Sequence, residues 1–260
     1  MLLRILFILC ALGASILAAP VKIMPLGDSI TAGYTDNPTW NVPFEFGYRS
    51  KLYKLLTDAG YDFQFVGGSL EPFNNAFGDP ARGEMVSPKF DLRPIGQNGH
   101  RGYGGAGIAA TSNNVTSYLT TDSPDVILLM IGINGIGPTS TSQLDTLVNT
   151  IVTARPAAQL IVAQITPKID YSADLFNYNA YIRNVLIPKY LGLGKKVSTV
   201  DHYKNFLTNL NDPTSIDRSL FSNGINHPTN PAYDAMAATW YLGIQAVAPA
   251  ALPVLDATGF

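Results

Sequence analysis

Five short apolar runs, rich in β-branched residues, alternate along the chain with longer stretches that have a helical spacing of apolar positions. The short runs have the length and composition of buried strands. Strand alternating with helix predicts a three-layer α/β/α sandwich built around a five-stranded parallel sheet. The predicted strands cover residues 21–26, 63–66, 125–131, 159–165 and 196–200, and the predicted helices cover 45–59, 107–119, 142–154, 173–190 and 231–247.

The ends of the chain differ from this pattern. Residues 1–19 are predicted to be a signal peptide, with the cationic Arg4 before an apolar run and small residues at the cleavage site. That run is shorter than a membrane-spanning helix requires, although an uncleaved anchor is the alternative. We therefore expect a secreted protein, extracellular or periplasmic, with no stable membrane insertion. One folded domain is predicted at residues 20–247, followed by a loosely attached tail at 248–260.

The composition of the chain limits the classes of partner and cofactor that we expect it to bind. Hydrophobic residues make up 47% of the 260 positions and charged residues 14%, which suffices for one large core. A net charge of -2 without a Lys/Arg cluster indicates no nucleic-acid partner. The only cysteine, Cys10, lies in the predicted signal peptide, so the mature protein would have no disulfide, thiolate metal site or cysteine nucleophile. Three widely spaced histidines do not form a zinc motif, and we expect neither metal nor cofactor. We also expect a monomer.

Candidate chemistry lies just after the predicted strands, because ligands of open parallel sheets bind beyond the carboxyl ends of the strands. Gly27-Asp28-Ser29 follows the first strand and Gly132-Ile133-Asn134 follows the third. A serine at such a turn can face the cleft, although a Gly-Asp-Ser triplet alone is more typical of a simple turn. Residues 69–100, rich in Gly, Pro and Asn, are predicted to be a long loop walling one side of the site.

Four segments carry a resemblance to a known family. Residues 23–31, with the sequence Ile-Met-Pro-Leu-Gly-Asp-Ser-Ile-Thr, resemble the nucleophile block of the SGNH, or GDSL, hydrolases. The glycine, asparagine and histidine blocks of that family are similar to residues 100–108, 132–134 and 227–230, in the same order. The resemblance spans nearly all of residues 21–247 and implies the flavodoxin-like fold of that family. Within it, the glycine block and three short segments are together most similar to the carbohydrate esterases that remove acetyl groups from xylan: residues 47–49, 65–67 and 163–167.

The resemblance implies roles for four residues. Ser29 would be the nucleophile, and His227 would be its base, since a serine hydroxyl needs a neighbouring base and histidine has a reference pKa of ~6.5. The amides of Ser29 and Gly105 and the side chain of Asn134 would form the oxyanion hole. We expect glycine at position 105 to let the backbone approach the substrate closely. Without the blocks, Gly105 and Asn134 would be read as turn residues.

One part of the family pattern is missing. Relatives usually carry an aspartate three residues before the histidine, where this chain has Gly224. A one-residue insertion would align Asn223 with that acid, and the carboxylates of Asp217 and Asp201 are further candidates to orient His227. A backbone carbonyl is the alternative that we favour.

The predicted function is a secreted serine esterase that removes acyl groups, most often acetyl, from polysaccharide through a covalent serine intermediate. A lipid or small-ester acylhydrolase is one alternative, and a glycan-binding protein that has lost catalysis is another. The sheet alone also suggests a flavin or phosphate binder, but no glycine-rich phosphate loop follows the first predicted strand of this chain.

Asn114-Val115-Thr116 is a glycosylation acceptor if the host glycosylates. Four aromatic residues near the proposed site could stack on sugar rings or simply pack: Tyr34, Trp40, Tyr48 and Tyr103.

Overall fold

The computed structural model describes residues 19–34, 46–71, 92–222 and 224–248. Most of the predicted signal peptide, the tail from residue 249 onward, Trp40 and Asn223 therefore lie outside the described residues. A parallel sheet forms the centre of the described chain. Its strands are β1 (Val21–Gly27), β2 (Phe63–Phe65), β3 (Arg101–Gly102), β4 (Val126–Met130), β5 (Gln159–Gln164) and β6 (Val197–Asp201).

The strand order confirms the predicted α/β sandwich. Neighbours run β2-β1-β4-β5-β6, and every pairing is parallel. The two-residue β3 pairs with the last two residues of β1 and was not predicted, because two residues carry no periodicity. With β3 set aside, the order is that of flavodoxin-like sheets. All five residues of β4 are buried, as expected for a central strand covered on both faces.

Seven α-helices connect or flank these strands in the described chain. They are α1 (Ser29–Ala32), α2 (Tyr48–Asp58), α3 (Ile108–Asp122), α4 (Ser140–Ala154), α5 (Ala173–Tyr181), α6 (Ile187–Gly192) and α7 (Asn230–Val247). Helix α2 packs against α7, and α3 packs against α4. None of the helices within the described ranges is both long and apolar enough to cross a bilayer.

The single helix predicted for residues 173–190 is interrupted. A π-helical turn at Ile182–Leu186 separates α5 from α6. Pro188 stands in the first turn of α6, where its missing amide proton prevents a regular hydrogen bond to the preceding turn. Local proline chemistry therefore overrides the apolar periodicity that suggested one continuous helix.

Candidate active site

Ser29 lies where β1 turns into α1. The strand ends at Gly27, and a Cβ there would lie 2.2 Å from the carbonyl oxygen of Met130, so only glycine fits beside β4. Asp28 caps the short helix, since its carboxylate accepts a hydrogen bond from the Ile30 amide at 3.0 Å. The helix ends after one turn at Gly33, which has a φ of 99°. These contacts hold the Ser29 side chain at the carboxyl end of β1.

Asp28 itself is almost fully buried, and this burial raises the pKa of its carboxyl group to about 7. The hydrogen bond from Ile30 acts in the opposite direction, because it stabilises the charged form. The residue thus has the turn role predicted from the sequence, in an environment that disfavours its charge.

His227 meets Ser29 from a distant part of the chain. Its Nε2 atom lies 2.8 Å from Ser29 Oγ, a hydrogen-bonding distance for a nucleophile and its base. Backbone hydrogen bonds fasten the His227 loop, from the Ser222 amide to the His227 carbonyl and from the Thr229 amide to the Leu220 carbonyl, both at 2.8 Å. The ring of Tyr34 packs against the imidazole with centroids 5.8 Å apart. His227 is therefore held by both its backbone and its ring.

The glycine block runs beside this pair. Its strand β3 pairs with the end of β1, and the Tyr103 amide donates to the Gly27 carbonyl at 3.3 Å. Gly105 has a φ of 71°, which favours glycine, whereas no atom lies within 4 Å of the place that a Cβ would take. Backbone conformation, rather than close approach within the protein, thus requires glycine here. Among the described residues, neither the Ser29 amide nor the Gly105 amide donates a hydrogen bond.

Asn134 joins the same cluster from the loop after β4. Its Nδ2 donates a hydrogen bond to the Ala106 carbonyl at 3.1 Å, which leaves the second amide proton free. Gly132 positions this loop, because a Cβ there would lie 2.9 Å from the hydroxyl of Tyr178, which itself donates to the Ile131 carbonyl. The structure therefore places His227 against Ser29 and Asn134 against the glycine block, which pairs with the end of β1 just before Ser29.

The candidates to orient His227 are placed differently. Asp217 Oδ1 accepts hydrogen bonds from the amide and the hydroxyl of Ser219, at 3.0 and 2.6 Å, and so caps a short 3₁₀ helix. Asp201 Oδ1 accepts from the Lys204 amide at 3.3 Å. Gly224, at the position of the usual acid, has a φ of 68°. Asn223 lies outside the described residues, so the assignment of the orienting group stays a prediction.

Glu71 is part of the site and was missed by the sequence analysis. Its Oε2 accepts hydrogen bonds from the Gly104 amide and from the hydroxyl of Tyr34, the residue that packs on His227. One carboxylate thus connects the glycine block to the side chain beside the base. No sequence signal marked it, because it lies in the aperiodic loop after residue 69.

Arg49 supports the short helix that begins at Ser29. It is fully buried and donates hydrogen bonds to the carbonyls of Asn98 and Ala32, the latter at the end of α1. Burial lowers the pKa of its guanidinium to about 10, which leaves it cationic at neutral pH. Its place in the segment 47–49, which resembles the carbohydrate esterases, was the only sequence signal for it.

The two remaining histidines bond or pack within the protein and form no hydrogen bond with Ser29. His100 shapes the glycine block: its Nδ1 accepts from the Gly102 amide, and its Nε2 lies 2.8 Å from the Glu71 carbonyl. His202 is fully buried against Trp240. In the described parts of the chain, no group of three or more histidine, cysteine or carboxylate side chains is arranged to hold a metal.

Known proteins share this arrangement of elements. No protein-family model matches the chain. A multidomain esterase of Ruminococcus flavefaciens is 29% identical over 236 residues, which cover 86% of this chain. A family 3 carbohydrate esterase from Clostridium thermocellum is 27% identical, with a TM-score of 0.64 over 86% of this chain and 94% of that one. The chain is therefore similar in sequence and fold to proteins described as esterases.

Two further facts qualify this similarity. The chain corresponds to only 28% of the length of the Ruminococcus protein. A family 3 carbohydrate esterase of Talaromyces cellulolyticus has the same fold, with a TM-score of 0.64 at 19% identity, over 87% of this chain and 98% of that one. The chain is thus similar in fold to both of these carbohydrate esterases over most of its length.

Proposed function

We propose that this chain is an exported serine esterase that removes acetyl groups from polysaccharide through a Ser29-His227 mechanism. The observation that carries the proposal is the 2.8 Å contact between Ser29 Oγ and His227 Nε2. Within the described ranges, the nearby Ser29 and Gly105 amides donate to no acceptor. Nothing in a purely glycan-binding site would require a serine hydroxyl paired with a histidine base.

The proposed reaction has two steps. His227 Nε2 takes the proton of Ser29 Oγ as that oxygen attacks the ester carbonyl, and negative charge develops on the carbonyl oxygen. The amides of Ser29 and Gly105 and the free proton of Asn134 stabilise that charge. The alcohol leaves with the proton from His227, and the acyl group stays on Ser29. Water then attacks the acyl-enzyme with His227 as base, and this releases the carboxylic acid and restores the serine.

Polysaccharide as the substrate is supported by the similarity to two family 3 carbohydrate esterases. Export is supported by the sequence of residues 1–19 alone. Recovery of the protein from the medium or periplasm, with an amino terminus near residue 20, would test export. Retention of the intact amino terminus in the membrane would favour an uncleaved anchor instead.

The esterase proposal is tested by release of p-nitrophenol from acetyl and longer-chain esters, with acetate release from acetylated xylan measured in parallel. Ser29→Ala should lower turnover by about 10⁴-fold or more, because the nucleophile is removed. Preference for the acetyl ester together with acetate from xylan is the expected result. Preference for long acyl chains would favour the lipid acylhydrolase, and no turnover of any ester by folded protein would favour the glycan-binding alternative.

A further inference from the structure

A cavity of about 380 Å³ lies against Gly105, between the glycine block and the first turns of α3. The mechanism above does not use it. The residues of its wall that matter below are Arg101, Tyr103, Gly105, Thr111, Asn114 and Tyr118. Since the Gly105 amide is proposed to hold the carbonyl oxygen, a group in this cavity would lie next to the ester that reacts.

Arg101 is the only charged residue among the described residues that line the cavity, and Asp122, which does not line it, balances its charge. Arg101 forms a two-point ion pair with Asp122, with Nε to Oδ2 at 2.7 Å and Nη2 to Oδ1 at 3.0 Å. The side chains of this pair are only 12% and 8% exposed. A buried, bidentate pair of this kind is fixed in place before any ligand arrives. The cavity is therefore not arranged for a carboxylate, a phosphate or a cation.

Aromatic surface and hydroxyl groups form much of the wall. The rings of Tyr103 and Tyr118 are stacked, with centroids 5.9 Å apart and planes 24° apart. The guanidinium of Arg101 covers Tyr118 at 4.5 Å from the ring centroid and donates to the Tyr103 hydroxyl at 3.3 Å. These contacts hold both rings rigidly, so little side-chain freedom would be lost on binding.

Polar groups of α3 complete the wall. The Asn114 side chain donates through Nδ2 to the Ala110 carbonyl, so that its Oδ1 stays available as an acceptor. Thr111 Oγ1 donates to the Gly107 carbonyl and can still accept a hydrogen bond. Ring surface combined with neutral donors and acceptors matches a group that has both C-H faces and hydroxyls.

We infer that this cavity binds a neutral sugar ring of the esterified glycan, next to the acyl group that Ser29 removes. The inference rests on the proposed esterase function and adds the location of the sugar. Small esters, whose alcohol does not reach the cavity, would depend on it much less than a glycan ester would. A comparison of small esters with glycan esters can therefore test the sugar-binding cavity separately from ester hydrolysis at Ser29.

Two neighbouring alanines of α3 provide a matched test. Ala110 lines the cavity, whereas Ala109 does not, and both are exposed. Ala110→Trp would fill the cavity from an exposed helix position, and Ala109→Trp adds the same bulk elsewhere on the same turn. The substrates are p-nitrophenyl acetate and acetylated xylo-oligosaccharides. The protein should come from a host that does not attach glycans, because a glycan on Asn114 would itself enter the cavity.

The measured quantity is kcat/KM for the oligosaccharide divided by kcat/KM for the small ester. This ratio should fall by at least about tenfold in Ala110→Trp and should not change in Ala109→Trp. Tyr118→Phe should lower the same ratio by about twofold to fivefold, because one hydroxyl is lost. An unchanged ratio in Ala110→Trp would overturn the subsite while turnover of the small ester upholds the esterase. A wild type that cleaves the small ester but no sugar ester would also overturn it.

A second cavity offers the competing location. It has a volume of about 210 Å³ and lies after Asn134, where Ile136 and the exposed Asn177 contribute to its wall. If Asn177→Trp rather than Ala110→Trp lowered the oligosaccharide ratio, the sugar would bind on that side and the inference would be wrong. Loss of turnover on both substrates by wild-type protein would instead count against the proposed function.

Discussion

Polar side chains occur at the carboxyl ends of both halves of the sheet, but only one half brings them to a single point. At the ends of β1 and β4, Ser29, His227 and Asn134 come from three separate segments; Ser29 contacts His227, and Asn134 bonds the glycine block. At the ends of β5 and β6, polar side chains form hydrogen bonds with neighbouring protein groups instead. Asn179, for example, bonds both the amide and the carbonyl of Ile165, at 2.7 and 2.8 Å.

The difference follows from topology. From β1 the chain continues to β2 on one side and later returns to β4 on the other, so the loops after β1 and β4 diverge and leave a crevice between them. Strands β4, β5 and β6 follow one another in order, so no such reversal of strand order falls between them. A polar residue after a strand is thus a weak indication of chemistry unless the strand borders the crevice.

The largest effect should come from the histidine at the crevice. His227→Asn should lower kcat for acetyl esters by about 10⁴-fold, because Ser29 would lose its base. Steady-state kinetics of the purified variant, with circular dichroism to establish folding, would measure it. Activity within about tenfold of wild type in a folded variant would show that another group accepts the serine proton.

Asn134 should have the next largest effect. Asn134→Ala should reduce kcat by about 10²- to 10³-fold with little change in KM, because its free amide proton is proposed to act on charge that develops only in the transition state. A loss confined to KM would indicate ground-state binding instead, and would remove Asn134 from the proposed oxyanion hole.

Asn179 provides the matched asparagine in the other half of the sheet. Asn179→Ala should leave kcat per folded molecule within about twofold of wild type but lower the free energy of unfolding by about 2–4 kcal/mol, since two buried hydrogen bonds are lost. Urea denaturation of both variants measures the contrast. If Asn179→Ala lost activity while retaining its stability, the two strand ends would not differ as described.

A smaller effect is expected at Glu71. Glu71→Gln keeps the size of the side chain but weakens the hydrogen bonds from the Gly104 amide and the Tyr34 hydroxyl, so kcat should fall by about tenfold. The thermal midpoint should change little, because the side chain is not deeply buried. An unchanged kcat would mean that the glycine block keeps its place without this carboxylate.

The smallest effect on catalysis is expected at His202. A change at this residue should alter how the free energy of unfolding depends on pH. Burial lowers the pKa of His202 to about 3, so the unfolded chain binds a proton more readily than the folded one between that value and ~6.5. Stability from this residue is present above ~6.5 and is lost as the pH falls through that window. When the pH is lowered from 7 to 4, the free energy of unfolding should therefore fall less in His202→Leu than in wild type.

The comparison for His202 uses the difference between wild type and variant at each pH. This difference cancels the contribution of Asp28, whose raised pKa gives the opposite slope between ~3.8 and about 7. A difference in unfolding free energy that does not vary between pH 4 and 7 would show that His202 titrates normally. Activity near wild type at pH 7 is expected throughout.

Much of the fold followed from local pattern. The five main strands lie within about one residue of their predicted bounds, because buried parallel strands are continuous apolar runs. The helix at 173–190 was predicted as one element because its periodicity persists through a proline that breaks the hydrogen-bond ladder. Strand β3 was too short to have a pattern at all.

The sequence by itself determined the order and type of the elements and which residues follow each strand, because these depend on neighbours along the chain. It also carried the four family blocks. Only the tertiary structure decided which of those residues meet. Ser29 and His227 are 198 positions apart, and Glu71 reaches the glycine block from 33 positions away. Such contacts depend on how loops cross above the sheet, and no local preference of the chain encodes that path.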